Sequence, residues 1–96
     1  MKPSQALAQN RLEIRALTEQ FRVVNPRVFG SALDASDSDQ SDLDLLVDAL
    51  PGTTLFDLGG LQDRLEELLG VRVDLKTPGD LPAKFRNEVL KKARPV

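Results

Sequence analysis

The sequence contains no cysteine and no histidine. The first absence excludes a disulfide framework and a thiolate metal site. The second removes the commonest general base and the commonest transition-metal ligand. Any catalysis then rests on carboxylates, amines, hydroxyls, backbone groups or a hard, oxygen-seeking cation such as Mg²⁺. Charge of either sign is in short surplus. A formal net charge of −2 gives no general attraction to nucleic acid or to an anionic membrane, so direct nucleic-acid binding is not expected. There is no apolar run long enough to span a bilayer and no signal-peptide core at the N-terminus, so no membrane partner is expected and the expected location is cytoplasmic. The 96 residues suffice for one small domain over 1–96, with a modest core and neither repeat nor linker.

Along the chain, Leu7, Ile14, Leu17 and Phe21 recur at helical spacing and predict an amphipathic helix over 4–22, with Ser4 as its N-cap. Asn25-Pro26 is expected to break it. Arg27-Val28-Phe29 is a short strand ended by Gly30-Ser31, and residues 34–41 form a small, polar, acidic loop. Asp42 to Val47 is expected to be a strand, with Leu43, Leu45 and Val47 on one face and Asp42, Asp44 and Leu46 on the other. Pro51-Gly52 is a turn, and Thr53 or Thr54 can cap the helix that follows. Leu58, Leu61, Leu65, Leu68 and Leu69 mark that helix over 55–69, and Gly70 stands where its C-terminal cap belongs. Val71 to Leu75 alternates as a strand, Pro78-Gly79 turns the chain, and 80–93 is a last helix. Its apolar face carries Leu81, Phe85 and Val89, and its other faces are basic. This order predicts an α+β fold, a small sheet covered by helices.

Three features carry chemistry. Gly30-Ser31 follows a strand at a chain reversal, where a glycine lets the backbone approach a phosphate and free N–H groups bind anions. On its own, such a pair is more often a plain turn. Asp42 and Asp44 leave the same face of one strand, roughly 6–7 Å apart from the usual rise per residue. They repel each other unless a cation intervenes, and one or two divalent ions there would also grip phosphate oxygens. Asp74 lies in another strand, facing away from its apolar neighbours, where aspartate is disfavoured. The plainer account of Asp74 is a surface carboxylate paired with Arg72 or Lys76.

Together the three are more specific. Gly30-Ser31-Ala32-Leu33-Asp34-Ala35, followed by Ser41-Asp42-Leu43-Asp44-Leu45-Leu46-Val47, resembles the nucleotidyltransferase superfamily related to DNA polymerase β. Within it, the chain resembles the minimal nucleotidyltransferase (MNT) antitoxins of HEPN/MNT toxin–antitoxin pairs. Their pattern runs Gly-Ser-x-Ala-Arg-Gly, then Ser-Asp-hydrophobic-Asp-Leu-hydrophobic-Val. The resemblance implies a polymerase β-like fold with a small mixed sheet. It implies that Gly30, Ser31 and Ser41 contact the nucleotide, that Asp42, Asp44 and Asp74 bind Mg²⁺, and that Asp74 helps deprotonate the attacking hydroxyl. It further implies ATP as donor, a tyrosine of a HEPN ribonuclease toxin as acceptor, and in-line attack on the α-phosphorus with pyrophosphate leaving, chemistry that needs positioning and charge neutralisation more than an imidazole.

The match departs at Asp34, where the pattern has arginine, and at Ala35, where it has glycine. Aspartate there opposes the phosphates that arginine would attract. The metal half of the site is thus expected to be firmer than the phosphate half. The chain is also short for enclosing a base, which predicts weak base specificity. A rival from another class is an antitoxin that neutralises its partner by binding alone. An EF-hand is excluded because Asp42 and Asp48 stand where that loop has glycine and glutamate. A P-loop is excluded because no Gly-Lys-Ser/Thr follows Gly30.

Overall fold

In the computed structural model, which describes residues 1–96, the run Leu43–Ala49 forms a central strand. The chain contributes α1 (Pro3–Gln9), α2 (Arg11–Glu19), β1 (Val23–Phe29), β2 (Leu43–Ala49), α3 (Leu55–Leu69), β3 (Val73–Lys76), α4 (Ala83–Lys92) and β4 (Arg94–Pro95). Two 3-10 turns, Gly30–Leu33 and Pro78–Asp80, lie between them. The sheet order is β3-β2-β1-β4. β1 runs antiparallel to β2 and β4, while β2 and β3 are parallel. Parallel neighbours need a crossover, and α3 supplies it. The fold is therefore α+β with a mixed sheet, as expected.

One face of β2 builds the core. Leu43, Leu45 and Val47 are buried with Ile14, Leu17, Val23, Val28, Leu61, Leu65 and Val73. Each large aliphatic side chain fully withdrawn from water contributes about 1.5–3 kcal/mol, so this cluster dominates the stability of so short a chain. Helix α3 has both ends fixed by local chemistry. Its Thr54 hydroxyl accepts from the Asp57 amide at 3.2 Å, the Asp57 carboxylate accepts from the Thr54 amide at 2.9 Å, and Gly70 closes the helix at φ 68°.

Several expectations change. The single helix over 4–22 is two. The Asn10 side chain donates to the Ala6 carbonyl at 2.9 Å, and the Asn10 carbonyl accepts from Ile14 at 2.9 Å, so one residue ends α1 and starts α2. Ser4 is not the N-cap, since Lys2 holds that position and Pro3 opens the helix. The Ser4 amide and hydroxyl instead donate to the Asp37 carboxylate at 2.7 and 2.8 Å. Asn25-Pro26 does not separate helix from strand but lies inside β1, at a bulge where the register shifts between Val24 and Arg27. Asn25 takes the left-handed conformation there (φ 56°). Asp48 ties the bulge down, accepting from Asn25 at 3.1 Å and from Arg27 at 2.7 Å.

Further differences follow from packing. Strand β2 begins at Leu43, so Asp42 precedes it. Leu46, expected on the open face, is 0% exposed, because the second 3-10 turn packs on β2 from that side and Leu81 is buried there too. Strand β3 starts at Val73 and α4 at Ala83, after Pro82. Strand β4, which no periodicity announces, adds a short edge beside β1, with Arg27 opposite Pro95; an edge is where a strand accommodates proline.

Candidate active site

The sheet brings the carboxylates together. Asp44 on β2 stands directly across from Asp74 on β3 in the parallel register. Side chains at paired positions leave the same face of a sheet, here the face opposite the Leu43 and Leu45 core. Asp42 lies at the mouth of β2 and is exposed. Burial first, then the charges of Asp74 and Asp42, push the Asp44 carboxyl up to about 6, with Lys76 pulling the other way. The crowding expected of the three aspartates is thus felt most by the half-buried one.

Cations hold the other two apart. Arg72 Nε lies 2.9 Å from Asp42 Oδ1, and Lys76 Nζ lies 3.2 Å from Asp74 Oδ1. Of the two cations flanking Asp74 in sequence, Lys76 is its partner, while Arg72 serves Asp42. Arg72 Nη2 also donates to the Gln40 carbonyl at 3.0 Å, so it links the acidic loop to β3. As placed, no group of three carboxylates closes around one point that a metal ion could fill.

Gly30 sits against this cluster. Its φ of 73° is a left-handed conformation, and a Cβ built on it would collide with the Asp44 carboxylate. Only glycine lets β1 end so close to the acid. Ser31 follows in the 3-10 turn, and its carbonyl accepts from the Ser36 amide at 3.0 Å, which folds residues 31–36 back on themselves. Ser41 is engaged elsewhere. Its hydroxyl accepts from the Ser38 amide at 3.0 Å, a local closure of the loop ahead of β2.

The two departures from the expected motif have distinct structural outcomes. Asp34 is exposed and points into a local turn. Hydrogen bonds from the Ser36 hydroxyl and amide hold its carboxyl below the usual range, the amide lying 3.1 Å away. A recess beside it is lined by Lys91, Lys92 and Arg94, so the negative charge feared there is bordered by cations from the far end of the chain. Ala35 has φ 59°, the left-handed conformation that glycine would adopt without strain.

One residue of the acidic loop matters to the frame of the site. Asp37 is 5% exposed. Burial alone would raise its pKa, but the hydrogen bonds from the Ser4 amide and hydroxyl outweigh it and lower it. Asp37 therefore pins the loop between Gly30 and Asp42 to α1. Nothing local signals a partner 33 positions away.

Comparison with known proteins follows the same lines. The family model described as "Nucleotidyltransferase domain" matches residues 11–96. Protein adenylyltransferase MntA of Thermococcus cleftensis is 36% identical over 77 residues, covering 80% of this chain and 78% of that protein. A solved structure described as a "putative minimal nucleotidyltransferase" matches with a TM-score of 0.87 at 39% identity, covering 97% of this chain and 95% of that one. A toxin–antitoxin structure with AMP-PNP matches with a TM-score of 0.75 over 90% of this chain and 71% of that one. At 20% identity the last is a likeness of fold.

Proposed function

The chain belongs to the nucleotidyltransferase domain family, and from that premise we propose that it is a Mg²⁺-dependent protein adenylyltransferase, the antitoxin of a toxin–antitoxin pair. The observation that carries this reading is Asp44 beside Asp74 on parallel strands, with Gly30 stripped of a Cβ where it meets the Asp44 carboxylate. Relatives named protein adenylyltransferase support the reaction class. The likeness to toxin–antitoxin structures favours the antitoxin role and ATP as donor. The acceptor on this reading is a tyrosine hydroxyl of a HEPN-type toxin.

The donor set suits Mg²⁺. Three carboxylates offer hard oxygens, and burial together with the negative charges of Asp74 and Asp42 raises the Asp44 pKa, an electrostatic condition a divalent cation relieves. Asp42, Asp44 and Asp74 would hold it. When bound, the cation neutralises charge shared by phosphates and carboxylates and polarises the α-phosphate.

The residues of the chain have separate tasks. Backbone N–H groups of the Gly30-Ser31 turn receive the β- and γ-phosphates, with Ser31 adding its hydroxyl. Ser41, whose hydroxyl also closes the loop ahead of β2, adds a further contact to the nucleotide. Asp74 accepts the proton as the acceptor oxygen bonds to the α-phosphorus and the bond to the bridging oxygen breaks. Pyrophosphate leaves. Arg72 and Lys76 release their carboxylates when the site is filled, because an exposed ion pair contributes only about 0–1 kcal/mol.

The test is direct. A HEPN-type toxin incubated with the chain, ATP and Mg²⁺ should gain the mass of AMP on a tyrosine, and the paired substitutions Asp42→Asn and Asp44→Asn should abolish the gain. If the doubly substituted chain neutralises the toxin as well as the parent does, neutralisation is by binding and the transfer reading is wrong.

A further inference from the structure

Between the 3-10 turn after β1 and helix α4 lies a cleft of about 460 Å³, within the range of small-molecule sites. Gly30 forms part of its wall, so the cleft is continuous with the turn assigned to the phosphates. Phe29 and Leu33 line it from one side, Phe85 and Val89 from α4. Phe85 is 53% exposed and no residue of α4 is buried, so these side chains are not committed to the core. The helix is fastened by a polar device instead. The Arg86 guanidinium donates to the carbonyls of Pro78 and Leu81 at 2.9 and 3.0 Å. An apolar stripe with an aromatic ring is thereby held open beside the phosphate turn.

One occupant fits an apolar, aromatic-walled cleft that continues from a phosphate turn: the base and ribose of a nucleotide. Resting on the function proposed above, we infer that the cleft seats the nucleoside half of the donor, with Phe85 as the ring on which the base stacks. Asp34 on the turn side, and Glu88 and Lys92, which pair with each other at 2.9 Å on the α4 side, supply its polar contacts. Stacking serves any base, since every base has a π-face. The cleft therefore adds affinity while leaving discrimination between bases weak.

Calorimetric titration with Mg-ATP and with Mg-tripolyphosphate separates this inference from the reading it rests on. Phe85→Ala should weaken ATP binding about ten-fold or more, leave tripolyphosphate binding unchanged, and keep the melting temperature. Phe85→Tyr should restore ATP affinity. Equal ATP affinity in the parent and in Phe85→Ala overturns the nucleoside cleft and leaves the phosphate and carboxylate site standing. Loss of ATP and tripolyphosphate together makes Phe85 a prop of the phosphate turn, which also overturns it. If the parent binds neither compound, the reading of Gly30 and the carboxylates fails, and the cleft fails with it.

Discussion

At the scale of single residues, two backbone positions separate what is fitted from what is tolerated. Gly30 combines a left-handed φ with contact against Asp44, and the sequence announces it through the Gly-Ser pair. Ala35 takes the same kind of conformation with a Cβ attached, at a cost of about 1 kcal/mol. Ala35→Gly should recover about that amount, partly offset by the greater freedom glycine gives the unfolded chain. Urea denaturation midpoints of the two proteins would measure the net, and a clearly lower midpoint for the glycine variant would contradict strain at this position. The sequence flagged residue 35 as a departure but could not assign it a dihedral. It likewise exposed three aspartates in need of an explanation. Which of them is half-buried depends on β2 pairing with β3, and a local pattern does not contain that pairing.

Among the elements, legibility follows the strength of local signals. Helix α3 was readable to its ends because leucine spacing, a capping threonine and a terminal glycine all agree. The division of α1 from α2 was not, because apolar spacing runs through Asn10 and the break is made by a side-chain bond to Ala6. Asn25-Pro26 was misread for the opposite reason. A strong breaker there makes a bulge within β1, since Asp48 on the neighbouring strand satisfies it. Strand β4 is too short for any period. The loop between Gly30 and Asp42 owes its course to Asp37, whose two bonds to Ser4 involve a charged acceptor. Asp37→Ala should cost about 2 kcal/mol in a denaturant titration, and a cost near zero would mean that the loop holds its path without α1.

For the molecule as a whole, the carboxylates pull the pH dependence of folding in opposite directions. Asp44 has a folded pKa of about 6 against an ordinary 3.8. Its contribution is fully present below the ordinary value and is lost as pH rises through the folded one. Asp37 and Asp80 are lowered, Asp80 through hydrogen bonds from the Thr77 amide and hydroxyl. Their contribution is present above 3.8 and is lost as pH falls through the folded values. Without divalent cations, the melting temperature should peak at about pH 4, decline from there to about pH 6 as Asp44 loses its proton, and decline also below about pH 4. Asp44→Asn should flatten the decline between about pH 4 and 6 only; a profile that still falls across that window in the variant would remove Asp44 as its cause. The burial and the like charges that raise the Asp44 pKa are what a bound cation would offset at neutral pH.

Helix α4 carries a consequence of a different kind. It buries no residue and is fastened through the Arg86 guanidinium, so it opens without breaching the leucine core. In a hydrogen-exchange measurement its amides should exchange at a lower local free energy than those of α3, and equal protection of the two helices would contradict this. On that expectation, the opening of α4 is separate from the melting of the leucine core.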